Sequence, residues 1–150
     1  MEHKSHLKGG GPVTGKYRHT IDGKGRLFVP AKLRELLGER FYVTIGLSHS
    51  LMILPEEAWR AIEEKKRQLP MAQAQQLRFF FANATRCEPD KQGRILIPSE
   101  LREYAHLTQE AVITGFGDKA EIWDGQTYDE MERAFLEQQN MDAVFASLEI

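Results

Sequence analysis

The 150 residues carry 20 Lys and Arg against 22 Asp and Glu, with 41% hydrophobic residues, a composition that excludes disorder and suits one compact domain or two small halves sharing a core. No apolar run nears the roughly 20 residues that span a bilayer and the start lacks the apolar centre of a secretory signal, so the sequence predicts a cytosolic protein with no membrane partner. The net charge of −2 is unevenly spread, at +5 over residues 1–54, +1 over 55–84, −2 over 85–123 and −6 over 124–150, which separates an anion-seeking end from an acidic tail.

Residues 1–15 are polar, Gly-rich and aperiodic, and read as a disordered leader or an expression tag. Tyr17, His19 and Ile21 alternate with Arg18 and Thr20 as in a half-buried strand, and Asp22-Gly23-Lys24-Gly25 supplies a tight turn. Arg26 to Val29 reads as the returning strand. Pro30 then opens a helix through Leu37 that Gly38 closes. Arg40–Gly46 and Leu51–Leu54 follow as two strands, joined by a turn at Ser48-His49-Ser50. Pro55 and the acidic pair Glu56-Glu57 start a longer helix with Trp59, Ile62 and Leu69 near one face, ending at Pro70. Met71–Leu77 is helical in composition and leads to Phe79-Phe80-Phe81, which point in different directions around a helix, so that some of them meet the second half or another subunit.

A second unit occupies about 84–123, and a last helix from about Thr127 places Tyr128, Met131 and Phe135 at helical spacing. Met141, Val144, Phe145 and Leu148 continue that spacing as a final helix or docking segment. The boundaries expected are 1–15 leader, 16–70 first repeat plus helix, 71–83 linker helix, 84–140 second repeat plus helix, and 141–150 C-terminal segment. Cys87, the single cysteine, cannot form an internal disulfide, and its strand-like setting reads as a small half-buried hydrophobe rather than a nucleophile.

The strongest signal is a motif written twice. Residues 22–35 read D-G-K-G-R-L-F-V-P-A-K-L-R-E and residues 90–103 read D-K-Q-G-R-I-L-I-P-S-E-L-R-E, so that Asp22, Gly25, Arg26, Pro30, Leu33, Arg34 and Glu35 recur 68 residues on. Val43-Thr44-Ile45-Gly46 has a weaker echo in Val112-Ile113-Thr114-Gly115. A duplicated unit unable to bury its apolar side alone packs against its twin.

Glycines in such a turn permit positive φ and close approach, while Asp22 can accept turn amides or brace an arginine. Lys24 at the tip and Arg26 behind it are then free to meet phosphate or a guanine edge. The alternative, an Asp22–Arg26 pair that only holds the turn, stays open. In the second copy Gln92 replaces Lys24 among acidic neighbours. There Asp90 is read as a brace, and Arg94 and Lys91 as a possible second contact. Lys16 and Arg18 on the first strand, with Lys32 and Arg34 on the following helix, extend the positive stripe. The recurrence of Arg34 as Arg102 points to a shared structural task such as an ion pair with a carboxylate.

Other patterns carry no chemistry. Gly10–Lys16 fits G-x-x-x-x-G-K, but Tyr17 stands where Ser or Thr must hold magnesium and Pro12 interrupts the cradle. The histidines at 3, 6, 19, 49 and 106 make no metal signature. No nucleophile, base and oxyanion site assemble, so the chain reads as a non-enzyme with no metal, cofactor or small-molecule ligand.

The run Lys16 to Leu27, followed by V-P-A-K-L-R-E, together with D-K-Q-G-R-I-L-I-P, the L-x-x-Y of Leu101 to Tyr104 and Glu121-Ile122-Trp123, resembles the MraZ family of bacterial regulators in the SpoVT-AbrB superfamily. The resemblance covers roughly residues 15–140. It implies an α+β fold of two tandem β-α-β-β repeats forming a swapped-hairpin β-barrel pseudo-dimer with flanking helices. It also implies a ring-shaped homo-oligomer, associated with the nucleoid, acting at the promoter of the division and cell-wall gene cluster, usually as a repressor. The family's DNA-reading positions fall on Lys24 and Arg26.

The residues and the resemblance together point to sequence-specific binding of double-stranded DNA. Rotation around a ring presents loops in one direction, so direct repeats are expected in the promoter. The alternative is a ring-forming interaction or scaffold protein without sequence-specific DNA binding, for which the aromatic cluster near Phe79 and the apolar tail would be the docking surfaces.

Overall fold

The computed structural model describes residues 12–138 and 140–150. Most of the expected leader, with His3, His6 and the start of the G-x-x-x-x-G-K pattern, lies outside the described residues.

Each half is built as strand, turn, strand, helix, two strands and a longer helix. The first contains β1 (Lys16–Thr20), β2 (Arg26–Phe28), α1 (Ala31–Leu37), β3 (Phe41–Ile45), β4 (Leu51–Pro55) and α2 (Glu56–Arg67). The second contains β5 (Thr85–Cys87), β6 (Arg94–Leu96), α5 (Ser99–Tyr104), β7 (Glu110–Phe116), β8 (Lys119–Asp124) and α6 (Gly125–Gln138). Between them lie α3 (Met71–Gln75) and α4 (Arg78–Ala82), and α7 (Met141–Ser147) ends the chain. Pro30 and Pro98 precede α1 and α5 with the same backbone angles, φ −57° and ψ 150°. Proline removes a donor the first turn could not use, so the helices start at corresponding points.

The halves exchange strands. Within a half only the hairpins β3–β4 and β7–β8 pair. Every other ladder crosses between halves, β1 with β7, β2 with β6, β4 with β8 and β3 with β5, all antiparallel. The result is a six-stranded sheet in the order β1-β7-β8-β4-β3-β5 and a two-stranded ribbon β2-β6. Local alternation makes β2 look like the return strand of β1, but those segments share only the bridge Ile21–Leu27, and β2 ladders with its own copy instead.

One core serves both halves, with Leu27, Val29, Leu33, Leu37 and Phe41 packed with Ile95, Ile97, Leu101, Ile113 and Ile122. In α1 the buried residues are Leu33 and Leu37, one helical turn apart. Trp59 of α2 stacks on Tyr42 at 4.4 Å and meets Phe80 and Phe81, whereas Phe79 is 66% exposed. The expected linker helix is two short helices, broken at Gln76 and Leu77.

The expected boundary at residue 15 is corrected by the chain start. Val13 is 2% exposed in the core and its N–H donates to Gly117 at 2.7 Å, while Gly115 donates to Gly15 at 3.0 Å. A Cβ on Gly115 would collide with the Val13 carbonyl. The short Pro-Val-Thr-Gly stretch of residues 12–15 has no periodicity to mark this role, and its partner strand is remote in sequence. Among the described residues no helix is long and apolar enough to cross a membrane.

Candidate nucleic-acid interface

The first repeated turn is locked by one carboxylate. Asp22 Oδ1 accepts from the Lys24 N–H at 3.0 Å and the Arg26 N–H at 2.8 Å, and Oδ2 accepts from Arg26 Nε at 2.7 Å. The Gly25 N–H donates to the Asp22 carbonyl at 3.0 Å, and Gly25 has φ +87°, a region that favours glycine. Three donors, led by the Arg26 amide, hold the Asp22 carboxyl down at about 2. The pair takes only the Nε of Arg26. Both Nη groups are without a hydrogen-bond partner among the described residues, and Lys24 stands exposed at the tip. The two readings open in the sequence are therefore compatible, since Arg26 braces the turn and still presents a planar pair of donors.

The second turn repeats this geometry. Asp90 Oδ1 accepts from the Gln92 and Arg94 amides at 2.9 Å each, Arg94 Nε donates to Oδ2 at 3.1 Å, and Gly93 has φ +83°. The Arg94 amide is again the main cause of a lowered Asp90 carboxyl. Lys91 and Gln92 are exposed. What differs is the neighbourhood. A cleft of about 590 Å³ beside this turn is lined by Glu35, Glu39, Glu88 and Asp90 as well as Arg34. That carboxylate excess weakens the attraction of the second turn for an anion.

The turns are tied together through the ribbon. The Ile97 N–H donates to the Gly25 carbonyl at 2.9 Å and the Val29 N–H to the Gly93 carbonyl at 2.8 Å. Arg26 faces Leu96 across the ladder and Phe28 faces Arg94, so these four side chains share the outer face while Leu27 and Ile95 are buried on the inner one.

Arg34 and Arg102 require a correction, because neither forms an ion pair among the described residues. Each instead packs under the turn of the other repeat. A Cβ on Gly25 would stand 2.7–2.9 Å from the Arg102 guanidinium, whose Nε donates to the Ile97 carbonyl at 2.9 Å. On Gly93 a Cβ would meet Phe28 at 2.9 Å and Arg34 at 3.2 Å. Arg34, expected to lengthen the first repeat's positive stripe, thus stands at the second turn, with its Nε buried and unpartnered. Arg102, which is not among the site residues expected from the sequence, stands at the first. The 68-residue shift marks both as equivalent, but nothing local shows that the strands are exchanged.

Lys16 and Arg18 are turned toward the acidic end of the chain. Lys16 Nζ meets Glu132 of α6 at 2.8 Å, and Arg18 meets Glu110 at 2.9 Å and Asp129 at 2.6 Å. The bond to Glu132 raises the Lys16 pKa, and the bonds to Asp129 and Glu110 raise that of Arg18. The charge asymmetry of the sequence is in part neutralised in the fold, and these two cations are not grouped with Lys24. Cys87 is buried and burial pushes its thiol up to about 11, which leaves it unreactive. Among the described residues no cluster of three or more His, Cys, Asp or Glu could hold a metal ion.

Two repeats that exchange strands, with a carboxylate-locked basic turn at each end of a shared ribbon, define a tandem swapped-hairpin protein of the α+β class. The family described as MraZ protein matches residues 13–79 and again 80–148, one match per repeat, and the chain belongs to that family. It is 56% identical over 112 residues to the "Transcriptional regulator MraZ" of Desulfitobacterium hafniense (strain DSM 10664 / DCB-2), covering 73% of this chain and 78% of that protein. It is 50% identical over 117 residues to the protein of the same description in Carboxydothermus hydrogenoformans, covering 76% and 82%. With that of Moorella thermoacetica the identity is 48% over 119 residues, covering 77% and 83%.

Proposed function

We propose that this chain is a transcriptional regulator that binds duplex DNA in a sequence-specific manner, and that the first repeated turn is its reading element. The observation that carries the reading is the first turn itself. A carboxylate and a positive-φ glycine fix the backbone, the Arg102 guanidinium packs against that glycine, Lys24 is exposed at the tip, and Arg26 offers two Nη groups without a hydrogen-bond partner among the described residues. Rigid, planar donors suit the O6 and N7 atoms of guanine, and a lysine on a loop suits phosphate. The regulator description of the relatives agrees with this chemistry.

The second turn contributes less in this proposal, through Arg94 and Lys91, because Gln92 replaces the tip lysine and carboxylates crowd it. Lys16 and Arg18 act indirectly, anchoring α6 to β1. One turn gives too small a contact for specificity, so the reading includes a ring-shaped homo-oligomer whose successive turns engage direct repeats in a promoter and gain affinity by avidity. The promoter is taken to be that of the division and cell-wall cluster, with repression as the outcome and the nucleoid as the place of action. No catalytic step, cofactor, metal or small-molecule ligand is part of it.

Selection of bound duplexes from random-sequence DNA tests the proposal. It predicts enrichment of a short guanine-containing element repeated in one orientation at regular spacing. Recovery without any enriched element, or an enriched palindrome, contradicts it. A scaffold that builds a ring without reading DNA is the competing view, and the 66% exposure of Phe79 and 73% exposure of Met71 favour it as far as they go. Failure to retain DNA even at low salt would decide for that view.

A further inference from the structure

Leu96 sits within the basic outer face of the ribbon and is 59% exposed. It lies on β6 directly opposite Arg26, which places their Cβ atoms about 5 Å apart. Arg94 is two residues back on the same strand face. The equivalent residue of the first repeat, Phe28, is half-buried, with the His19 ring edge-on at 4.9 Å and Gly93 against it. Leu96 is thus the large apolar side chain of this face left open to solvent. Its setting selects an occupant. Arg26 and Arg94 flank it and Lys24 and Lys91 stand at the two tips, four cations against the two bracing carboxylates Asp22 and Asp90, so that the surround, most strongly on its Arg26 side, attracts a polyanion and disfavours a purely apolar partner. The apolar group that a duplex offers on the base edges of its major groove is the 5-methyl of thymine.

We propose that Leu96 is a specificity residue of the interface, packing on the methyl group of a thymine beside the base or phosphate engaged by Arg26. The inference rests on the duplex-DNA reading above and adds a methyl group that the basic residues cannot sense. Arginine and lysine donate to acceptors of guanine and to phosphate, whereas thymine differs from uracil by that one methyl.

The test uses the full chain and a duplex it recovers from random-sequence DNA, with each thymine replaced in turn by uracil, which removes only the methyl. The expected result is a thymine position in the site at which uracil weakens wild-type binding about fourfold, the worth of one buried methyl. At that position Leu96→Ala binds the thymine and uracil duplexes equally. Wild-type binding indifferent to uracil at every position overturns the inference while leaving DNA binding standing, as does a uracil penalty that persists in Leu96→Ala. No retention of any duplex overturns both readings together. A shift in the sedimentation of Leu96→Ala without DNA assigns the residue to contact between copies of the chain, and overturns the inference too.

Discussion

Asp22 carries three hydrogen bonds from two residues of its own turn, and that concentration of donors makes it the residue on which the first turn, the proposed reading element, depends. Its folded carboxyl lies near 2, below the ordinary 3.8, so its contribution to stability is fully present above about 3.8 and is lost as the pH falls through about 2. The stability gap between wild type and Asp22→Asn, measured by denaturant titration, should therefore be constant from pH 7 to about 4 and shrink below that. A gap that grows on acidification would contradict the assignment. Because Asp22 also aims Arg26, the variant should bind DNA more weakly at neutral pH although it alters no donor that faces the duplex. Charge at the surface behaves differently. Lys16, Arg18 and Glu110 are exposed and Asp129 and Glu132 half-buried, and surface pairs of this kind are worth about 0–1 kcal/mol each. Replacing Glu132 with Gln should leave the thermal midpoint nearly unchanged, as scanning calorimetry would show.

The repeated turn works as an element only because its glycines meet different demands. Gly25 combines φ +87° with a guanidinium 2.7 Å from where a Cβ would stand, whereas nothing lies within 4 Å of a Cβ at Gly23. Gly25→Ala should cost about 1–3 kcal/mol in equilibrium unfolding and Gly23→Ala close to nothing. Equal effects would show that the turn tolerates other backbones. The turn was legible in the sequence, for D-x-x-G-R written twice at one spacing gives the glycine, the brace and the arginine directly. So were the helices after Pro30 and Pro98, since proline and leucine spacing act locally. The strand partners were not legible from alternation, because β1 reads the same whether it pairs with β2 or with β7. Only the family resemblance carried the exchange. The place of Arg34 and Arg102 follows from that exchange, and so does the role of Val13, whose partners Gly115 and Gly117 offer no side chain by which a sequence pattern could mark them.

At the scale of the molecule, the exchange means that neither repeat is a folding unit. Residues 12–83 alone would leave β1 without β7, β2 without β6 and β4 without β8, and would uncover the shared core. That fragment should be unfolded or paired with a second copy of itself, as circular dichroism and sedimentation would report, and a folded monomer would contradict the description. The same exchange builds each turn from both repeats and fixes the two turns at opposite ends of one ribbon. The near-identical turns stand in unequal surroundings: Lys24, Arg26 and Arg102 at the first are matched by Lys91, Arg94 and Arg34 at the second, but Gln92 replaces the tip lysine there and Glu35, Glu39 and Glu88 line a cleft beside it. The proposed DNA reading falls to the first turn on that difference. Titration of a selected duplex against wild type and the Lys24→Ala plus Arg26→Ala variant, over a series of salt concentrations, tests this most directly. At least a tenfold loss of affinity is expected in the variant, with a salt dependence reduced by about 1 in logarithmic slope for each engaged turn, the phosphate contact of Lys24. Unchanged affinity and slope in a variant that stays folded would contradict it.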